Sequence, residues 1–300
     1  MKRWMVAAPL LVLCAAAPSK KPEPQIAITI DDLPVHAPYP PGVTPLEANR
    51  QMIAALKAAR VPVTGFVNAA NVKDFDTMEA LREWRAAGFV LGNHTWSHPH
   101  LSELSLDEFE ADLAKDEPLL KKLGGTSDWR WFRYPFLDEG KDAAQRVAAR
   151  QVLAKRGYRV ADVTTGFSDW AWTPAYARCT TKHDPAGLAE LERLYLAAVK
   201  ESIVDDRETS RLLYGRDIPY VLLMHVSAMS AHMMQKVLLI YRGAGYRFIP
   251  LADAERDPVY LAYTNLRLPP PPTRGEAAKE RGVKLPAPPS FSAKLDAICA

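Results

Sequence analysis

Two pairs of residues in the sequence have the types and spacing of a metal site. Asp31 and Asp32 are adjacent acids after a short apolar run, and His94 and His98 are four residues apart in N-H-T-W-S-H. At the start of a helix or turn, this spacing puts both imidazoles on one face. Two imidazoles and one carboxylate form a common open zinc site. The Asp pair is the obvious carboxylate source, because adjacent buried acids are costly without a positive group nearby.

The histidine pair alone has a second explanation, because two surface or capping histidines would show the same spacing. The residue types also do not say which of the two aspartates binds a metal and which does something else. Of the other histidines, His100 is interpreted as a loop residue. His36, His183 and His232 have no partner pattern and are interpreted as structural or exposed.

Short apolar runs alternate with amphipathic segments along the chain. The runs that fit strands are 26–30, 61–67, 89–92, 129–133, 158–163, 219–224 and 246–249. The segments that fit helices are 45–59, 77–87, 106–123, 142–156, 186–204 (with a continuation to about 213) and 231–242. Alternation of this kind predicts parallel strands and an α/β fold. About seven such units in one run favour a barrel over an open sheet.

The placement of polar residues supports this architecture, since barrels of this kind carry their active sites at the C-terminal ends of the strands. Acidic, histidine or arginine side chains that could do chemistry end or follow five of the seven apolar runs. In chain order these are Asp31, Asp32, His94, Arg133, Asp169 and His225. The pattern predicts one cleft that gathers all six.

Five segments, in order, resemble the motifs of the polysaccharide deacetylases of carbohydrate esterase family 4, the NodB-homology domain. T-F-D-D-G corresponds to T-I-D-D-L at 29–33, H-[ST]-x-x-H to H-T-W-S-H at 94–98, and R-x-P-[FY] to R-Y-P-F at 133–136. D-x-x-D-W survives in part at 169–170, and L-x-H is L-M-H at 223–225. The resemblance covers roughly residues 25 to 260. It implies a deformed (β/α) barrel of about seven strands, NodB-like, and a metal-dependent hydrolase that removes acetyl groups from an N-acetylated polysaccharide.

The resemblance also implies roles for single residues. The metal ligands would be Asp32, His94 and His98; the catalytic residues Asp31, Arg133, Tyr134, Asp169 and His225; and the walls of an acetyl pocket Leu223 and Trp170. Asp31 would be the general base, oriented by Arg133, and His225 the general acid. Asp169 would orient His225, and the backbone N–H of Tyr134 would bind the oxyanion. Zn²⁺ suits the ligand set best, although Mn²⁺, Co²⁺ or Ni²⁺ would also fit.

Departures from the family pattern leave the substrate open. Leu33 stands in place of the motif's glycine, and Gly166 in place of the first aspartate of D-x-x-D-W. The proline-rich segment 34–41 is expected to form a stiff rim over the site. An aromatic group at 170–176 fits either sugar stacking or loop packing. Three alternatives therefore remain: an O-acetyl esterase acting on a glycan, a hydrolase of a small amide, and a catalytically silent glycan-binding domain.

The ends of the chain predict export. Lys2 and Arg3 precede an apolar stretch too short to span a bilayer, so residues 1–17 are expected to be a signal peptide. The barrel is predicted at 18–263 and a Pro-rich C-terminal tail at 264–300. The protein is expected in the bacterial periplasm or outside the cell, with lipid anchoring through Cys14 as a variant. Cys179 and Cys299 would then remain as free thiols or as a disulfide.

The composition excludes some partners. The chain has 300 residues, 48% of them hydrophobic, with 38 basic and 35 acidic side chains and a net charge of +3. No basic stripe of the kind that binds nucleic acid is present. Apart from the N-terminal stretch, no segment suggests a membrane span. We predict a monomer whose partner is an acetylated glycan.

Overall fold

The computed structural model describes residues 23–287 and 290–300. The predicted signal peptide and Cys14 lie outside these residues. Within them, the chain forms seven β-strands: β1 (Gln25–Leu33), β2 (Val63–Val67), β3 (Val90–Asn93), β4 (Trp131–Phe132), β5 (Arg159–Val160), β6 (Tyr220–His225) and β7 (Arg247–Phe248). Each corresponds to one of the seven predicted runs. The ends differ from the predicted ones in every strand: β1 is longer and includes both aspartates, β2, β4, β5 and β7 are shorter, and β3 and β6 are shifted by one residue.

All pairings in the sheet are parallel, in the order β5-β4-β3-β2-β1-β6, with β7 paired to the start of β1. The sheet curls into a half-barrel with helices around it, which confirms the deformed barrel of the NodB type. The gap between β5 and β6 is narrowed by the segment after β5, where Thr165 bridges Leu222 in parallel. All the strands therefore direct their C-terminal ends to one rim.

The helices cover the outside of the sheet and then continue into the C-terminal tail. The described residues form α1 (Pro45–Ala58), α2 (Phe75–Ala86), α3 (Leu106–Gly124), α4 (Ala143–Lys155), α5 (Thr173–Thr181), α6 (Pro185–Tyr214), α7 (Ala228–Gly243), α8 (Leu251–Ala254), α9 (Leu261–Thr264), α10 (Arg274–Arg281) and α11 (Ser292–Ala297). Helix α5 and the four short helices α8 to α11 were not predicted from the sequence. Among the described residues, no helix combines the length and apolarity that a membrane span requires.

The strand that carries the Asp pair shows how the chain accommodates Leu33 in place of the motif's glycine. Leu33 is fully buried and continues β1 beyond a register shift, pairing with Val67. Its side chain occupies the space in front of Gly65 on β2, where an added Cβ would lie 2.2 Å from Leu33 Cδ1. The glycine that the motif lacks is thus matched by a glycine on the neighbouring strand. Asp32, not residue 33, takes the left-handed backbone conformation, with φ of 64°.

The C-terminal tail is held against the wall of the barrel that carries Asp169. Cys179 on α5 and Cys299 form a disulfide with an S–S distance of 2.04 Å. Phe291 packs against Trp172 with ring centroids 5.2 Å apart, and the Arg178 guanidinium donates to the carbonyl of Leu295 at 2.6 Å. The tail therefore stabilises the segment that follows β5.

Candidate active site

A cleft of about 350 Å³ opens at the C-terminal rim of the sheet. The side chains that line it come from six separate loops and strand ends. They are Asp31, Asp32, His36, His94, His98, Tyr134, Phe136, Leu137, Trp170, Leu223 and His225. Eight of the ten residues named by the family resemblance line the cleft. The other two contact lining residues: Arg133 contacts Asp31, and Asp169 contacts His225 from behind.

The loops around the cleft contain an unusual number of strained residues. Six non-glycine residues there have positive φ values between 53° and 64°, a range that costs energy for residues with a side chain. They are Asp32, Thr95, His98, Phe136, Leu137 and Ser168. Such strain persists only where the surrounding structure holds the backbone in place, and it is concentrated at functional sites.

Asp32, His94 and His98 face one another. Asp32 Oδ1 lies 3.5 Å from His94 Nε2 and 3.3 Å from His98 Nε2, and this buried oxygen has no hydrogen-bond partner in the described part of the chain. His94 Nδ1 donates to the carbonyl of Arg133 at 2.7 Å, which leaves Nε2 as the acceptor in the cleft. Burial, then the neighbouring His94, lowers the pKa of His98 to about 4, so its imidazole is neutral at pH 7. One carboxylate oxygen and two imidazole lone pairs are the donors that a divalent cation such as Zn²⁺ binds.

The local structure around these histidines differs from the expectation of a helical face. Residues 94–98 form a bend, and the backbone of Thr95 and of His98 is left-handed. Two buried asparagines hold this bend. Asn68 donates to the carbonyls of His94 and Thr95 at 2.6 and 3.1 Å, and Asn93 accepts from the Thr95 N–H at 2.8 Å. Neither asparagine was predicted from the sequence, although Asn93 directly precedes His94 and Asn68 directly follows the run 61–67, and this strand-end placement was the signal that could have indicated them.

Asp31 lies beside Asp32, His94 and His98 but has a different partner. Its carboxylate contacts Arg133 Nη1 at 3.3 Å and lies 3.7 Å from His94 Nε2. Arg133 is 1% exposed, and its other nitrogens donate to the Ala161 carbonyl at 2.8 Å and to Thr29 Oγ1 at 3.1 Å. A guanidinium fixed in this way holds the carboxylate in one orientation. Thr29 lies two residues before Asp31 on β1, and it too was not predicted as a site residue from the sequence.

His225 is held by a carboxylate on the far side of the cleft. Its Nδ1 lies 2.8 Å from Asp169 Oδ1, and its backbone N–H donates to Asp169 Oδ2 at 2.8 Å. Ser230 Oγ donates to the same oxygen at 2.6 Å. Burial works to lower the pKa of His225, but the Asp169 carboxylate raises it to about 9, so the ring is an imidazolium at neutral pH. Its remaining N–H, on Nε2, is free to act as a proton donor.

The remaining predicted residues form the walls of the cleft. The Tyr134 side chain is buried, and its backbone N–H has no hydrogen-bond acceptor among the described residues. Leu223 is half-buried, whereas the Trp170 ring is 52% exposed. Trp172, from the same aromatic group, is buried against Tyr195 and so belongs to the core.

The structure corrects the interpretation of His36. This histidine lines the cleft, its Nδ1 lies 2.7 Å from Asp32 Oδ2, and its ring centroid is 4.7 Å from that of His225. His36 lies in the proline-rich segment 34–41, which is therefore at the rim of the site. Of the other histidines, His100 stacks on Phe136 at 3.7 Å, and His232 pairs with Glu192 outside the cleft.

Comparison with known proteins finds relatives of one part of the chain. The family model described as polysaccharide deacetylase matches residues 19–161, just under half of the chain. A peptidoglycan-N-acetylglucosamine deacetylase of Bacillus cereus is 30% identical over 112 residues, which are 37% of this chain and 36% of that protein. A chitin deacetylase of Colletotrichum lindemuthianum is 30% identical over 115 residues, 37% of this chain and 42% of that protein. These matches, together with the five motifs, support a relationship to the polysaccharide deacetylases of carbohydrate esterase family 4.

Solved structures extend the likeness of fold beyond the matched segment. The structure of a chitin deacetylase from Colletotrichum lindemuthianum superposes with a TM-score of 0.54 at 21% identity, covering 78% of this chain and 88% of that one. A family 4 pseudoenzyme from Bacillus anthracis superposes with a TM-score of 0.55 at 17% identity, covering 77% and 65%. The same fold therefore occurs in both an enzyme and a pseudoenzyme. In sequence, the chain spans less than half the length of the two curated deacetylases that it matches.

Proposed function

We propose that this protein is a metal-dependent deacetylase that hydrolyses the C–N bond of an N-acetyl group on a cell-wall or extracellular polysaccharide. The observation that carries the proposal is the division of the Asp pair. Asp32 faces two imidazoles with an unpaired buried oxygen, whereas Asp31, its neighbour, is held by Arg133. A binding domain without catalysis has no need for a second, separately oriented carboxylate beside a metal site.

The donor set around Asp32 suits a divalent cation. Its Oδ1 is buried without a hydrogen-bond partner among the described residues, which is costly unless a cation is bound there. His94 has the hydrogen-bonded Nδ1 that is common in metal-binding imidazoles. We infer that Asp32, His94 and His98 hold Zn²⁺, with Mn²⁺, Co²⁺ and Ni²⁺ as the alternatives. When bound, such a cation would polarise the acetyl carbonyl and lower the pKa of a water molecule beside it.

The protein's own residues then supply the proton transfers. Asp31, kept in place by Arg133, accepts a proton from the water whose oxygen attacks the carbonyl carbon. The backbone N–H of Tyr134 donates to the oxyanion that forms. His225 donates its Nε2 proton to the amine nitrogen as the C–N bond breaks, while Asp169 holds the ring. Acetate and the free amine leave, Asp31 releases its proton to solvent, and His225 regains one from solvent.

Two side chains in the walls of the cleft are suited to contact the acetyl group and the sugar. Leu223 lies two residues before His225, and we infer that it contacts the acetyl methyl. The exposed Trp170 ring faces the same cleft and offers an apolar surface to a sugar ring. The names of the two curated relatives, a peptidoglycan and a chitin deacetylase, support a glycan rich in N-acetylglucosamine as the substrate.

Acetate release tests this function. The purified protein, loaded with zinc, would be assayed on peptidoglycan, chitin oligomers and acetylated xylan, with and without a chelator. We expect release from an N-acetylated glycan that stops on chelation and returns when zinc is restored. His94→Ala is the matched control, which should neither bind zinc nor release acetate. Release that resists the chelator contradicts the proposal, and release from xylan alone assigns an O-acetyl esterase instead.

We also propose that the protein works outside the cytoplasm. The Cys179–Cys299 disulfide supports this location, since such bonds persist in oxidising compartments. The predicted signal peptide agrees with it. Lipid anchoring through Cys14 stays a prediction, which mass spectrometry of the mature N-terminus would check.

A further inference from the structure

His36 occupies a place in the cleft that none of the five family motifs covers. The two oxygens of Asp32 have different surroundings. Oδ1 faces His94 and His98, whereas Oδ2 lies 2.7 Å from His36 Nδ1. Burial works to raise the pKa of Asp32, but the hydrogen bond from His36 and the neighbouring imidazoles bring it well below its usual range. The carboxylate is thus held by one histidine and directed at two others.

The segment that carries His36 is itself attached to the strand that ends in His225. The backbone N–H of His36 donates to the Tyr39 hydroxyl at 3.2 Å, and that hydroxyl donates to the Val226 carbonyl at 3.1 Å. Asn49 on α1 donates to the Pro34 carbonyl at 2.9 Å and fixes the start of the segment. These contacts hold the backbone of the loop that carries His36, since both sides of the loop are bonded to neighbouring elements.

The same ring contacts the other half of the catalytic group. Its centroid lies 4.7 Å from that of His225, with an angle of 43° between the planes. His36 therefore contacts both the Asp32 carboxylate and the His225 ring.

We propose that His36 is a positioning residue that orients Asp32 for metal binding. This inference rests on the proposed metal site. A carboxylate with one oxygen hydrogen-bonded presents its other oxygen in a fixed direction. Loss of such an outer contact lowers metal affinity by about 10- to 100-fold. The segment 34–41 thereby becomes part of the metal-binding machinery rather than a rim alone.

The test is a measurement of zinc affinity by competition with a chromogenic chelator, on metal-free protein. We expect His36→Ala to weaken zinc binding by about 10- to 100-fold. His36→Asn should restore most of the affinity, because its amide nitrogen can occupy the place of Nδ1. His36→Gln puts its nitrogen farther out and should behave as the alanine variant does. His232→Ala, a histidine outside the cleft, is the matched control and should bind zinc as the wild type does.

Thermal unfolding of the metal-free proteins shows whether each variant folds. If His36→Ala does not fold, Tyr39→Phe takes its place, since it removes the hydroxyl that anchors the loop and leaves the imidazole intact. We expect it to weaken zinc binding about fivefold, the effect of one hydrogen bond. Zinc affinity within about threefold of wild type in the folded alanine variant overturns the inference and leaves the deacetylase proposal standing. Wild-type protein that binds no zinc overturns both.

Discussion

Asp169 sets the proton affinity of His225, and its replacement gives the sharpest test of the proposed proton donor. The carboxylate raises the pKa of His225 to about 9 against the opposing effect of burial. In Asp169→Asn the charge is lost but the shape of the side chain is kept. Without the carboxylate, the pKa of His225 falls toward its ordinary 6.5, because burial favours the neutral ring and opposes the remaining charges of Asp32 and Asp31.

The size of the effect follows from this difference. An imidazolium with a raised pKa is present at low pH and is lost as pH rises through the folded-state value. At pH 8 the protonated fraction would fall from about 0.9 to about 0.03, a loss of about 30-fold in kcat/KM from protonation alone. The alkaline limb of the pH profile should move down by about two pH units. A bound cation affects both proteins alike, so the difference between them reports on Asp169.

The assay is the pH dependence of kcat/KM for acetate release, with the same metal in each protein. Ser230→Ala is the matched control, since it removes a hydrogen bond to Asp169 and keeps the charge. Its alkaline limb should stay close to that of the wild type. If Asp169→Asn loses activity equally at all pH values, with its alkaline limb unmoved, then Asp169 does not set the protonation of His225 and the reasoning is refuted.

Three further predictions test other parts of the structure. Asp31→Asn should keep its zinc affinity and lose about 10²- to 10⁴-fold in kcat/KM, and full activity would rule out Asp31 as the base. Gly65→Ala should destabilise the fold by about 1–3 kcal/mol in urea unfolding, because its Cβ would lie 2.2 Å from Leu33 Cδ1; equal stability would mean that β1 and β2 can separate. Cys299→Ser opens a disulfide that closes a separation of 120 residues, so unfolding should become easier by up to about 5 kcal/mol; an unchanged melting curve would show that the Cys179 bridge does not stabilise the tail.

The sequence contained much of the fold, because the period of its apolar residues reports directly on strands and helices. All seven predicted runs became strands, and polar residues at their ends met at one rim, as parallel pairing requires. The main omissions were α5 and the short helices of the tail. Their apolar residues are few, and α5 begins directly after buried Trp172, so packing against Tyr195 decides its place more than any periodicity.

The sequence by itself determined which residue types stand at each strand end, and the family motifs suggested how they divide the chemistry. Only the tertiary structure decided which of them meet. Arg133 reaches Asp31 across 102 positions of the chain, and Asp169 reaches His225 across 56. His36 and Ser230 have no pattern of their own, because a hydrogen-bond partner is set by the packing of separate strands and loops. The spacing of residues along the chain carries no information about contacts of this kind, since they form only when the curled sheet brings its strand ends and loops together.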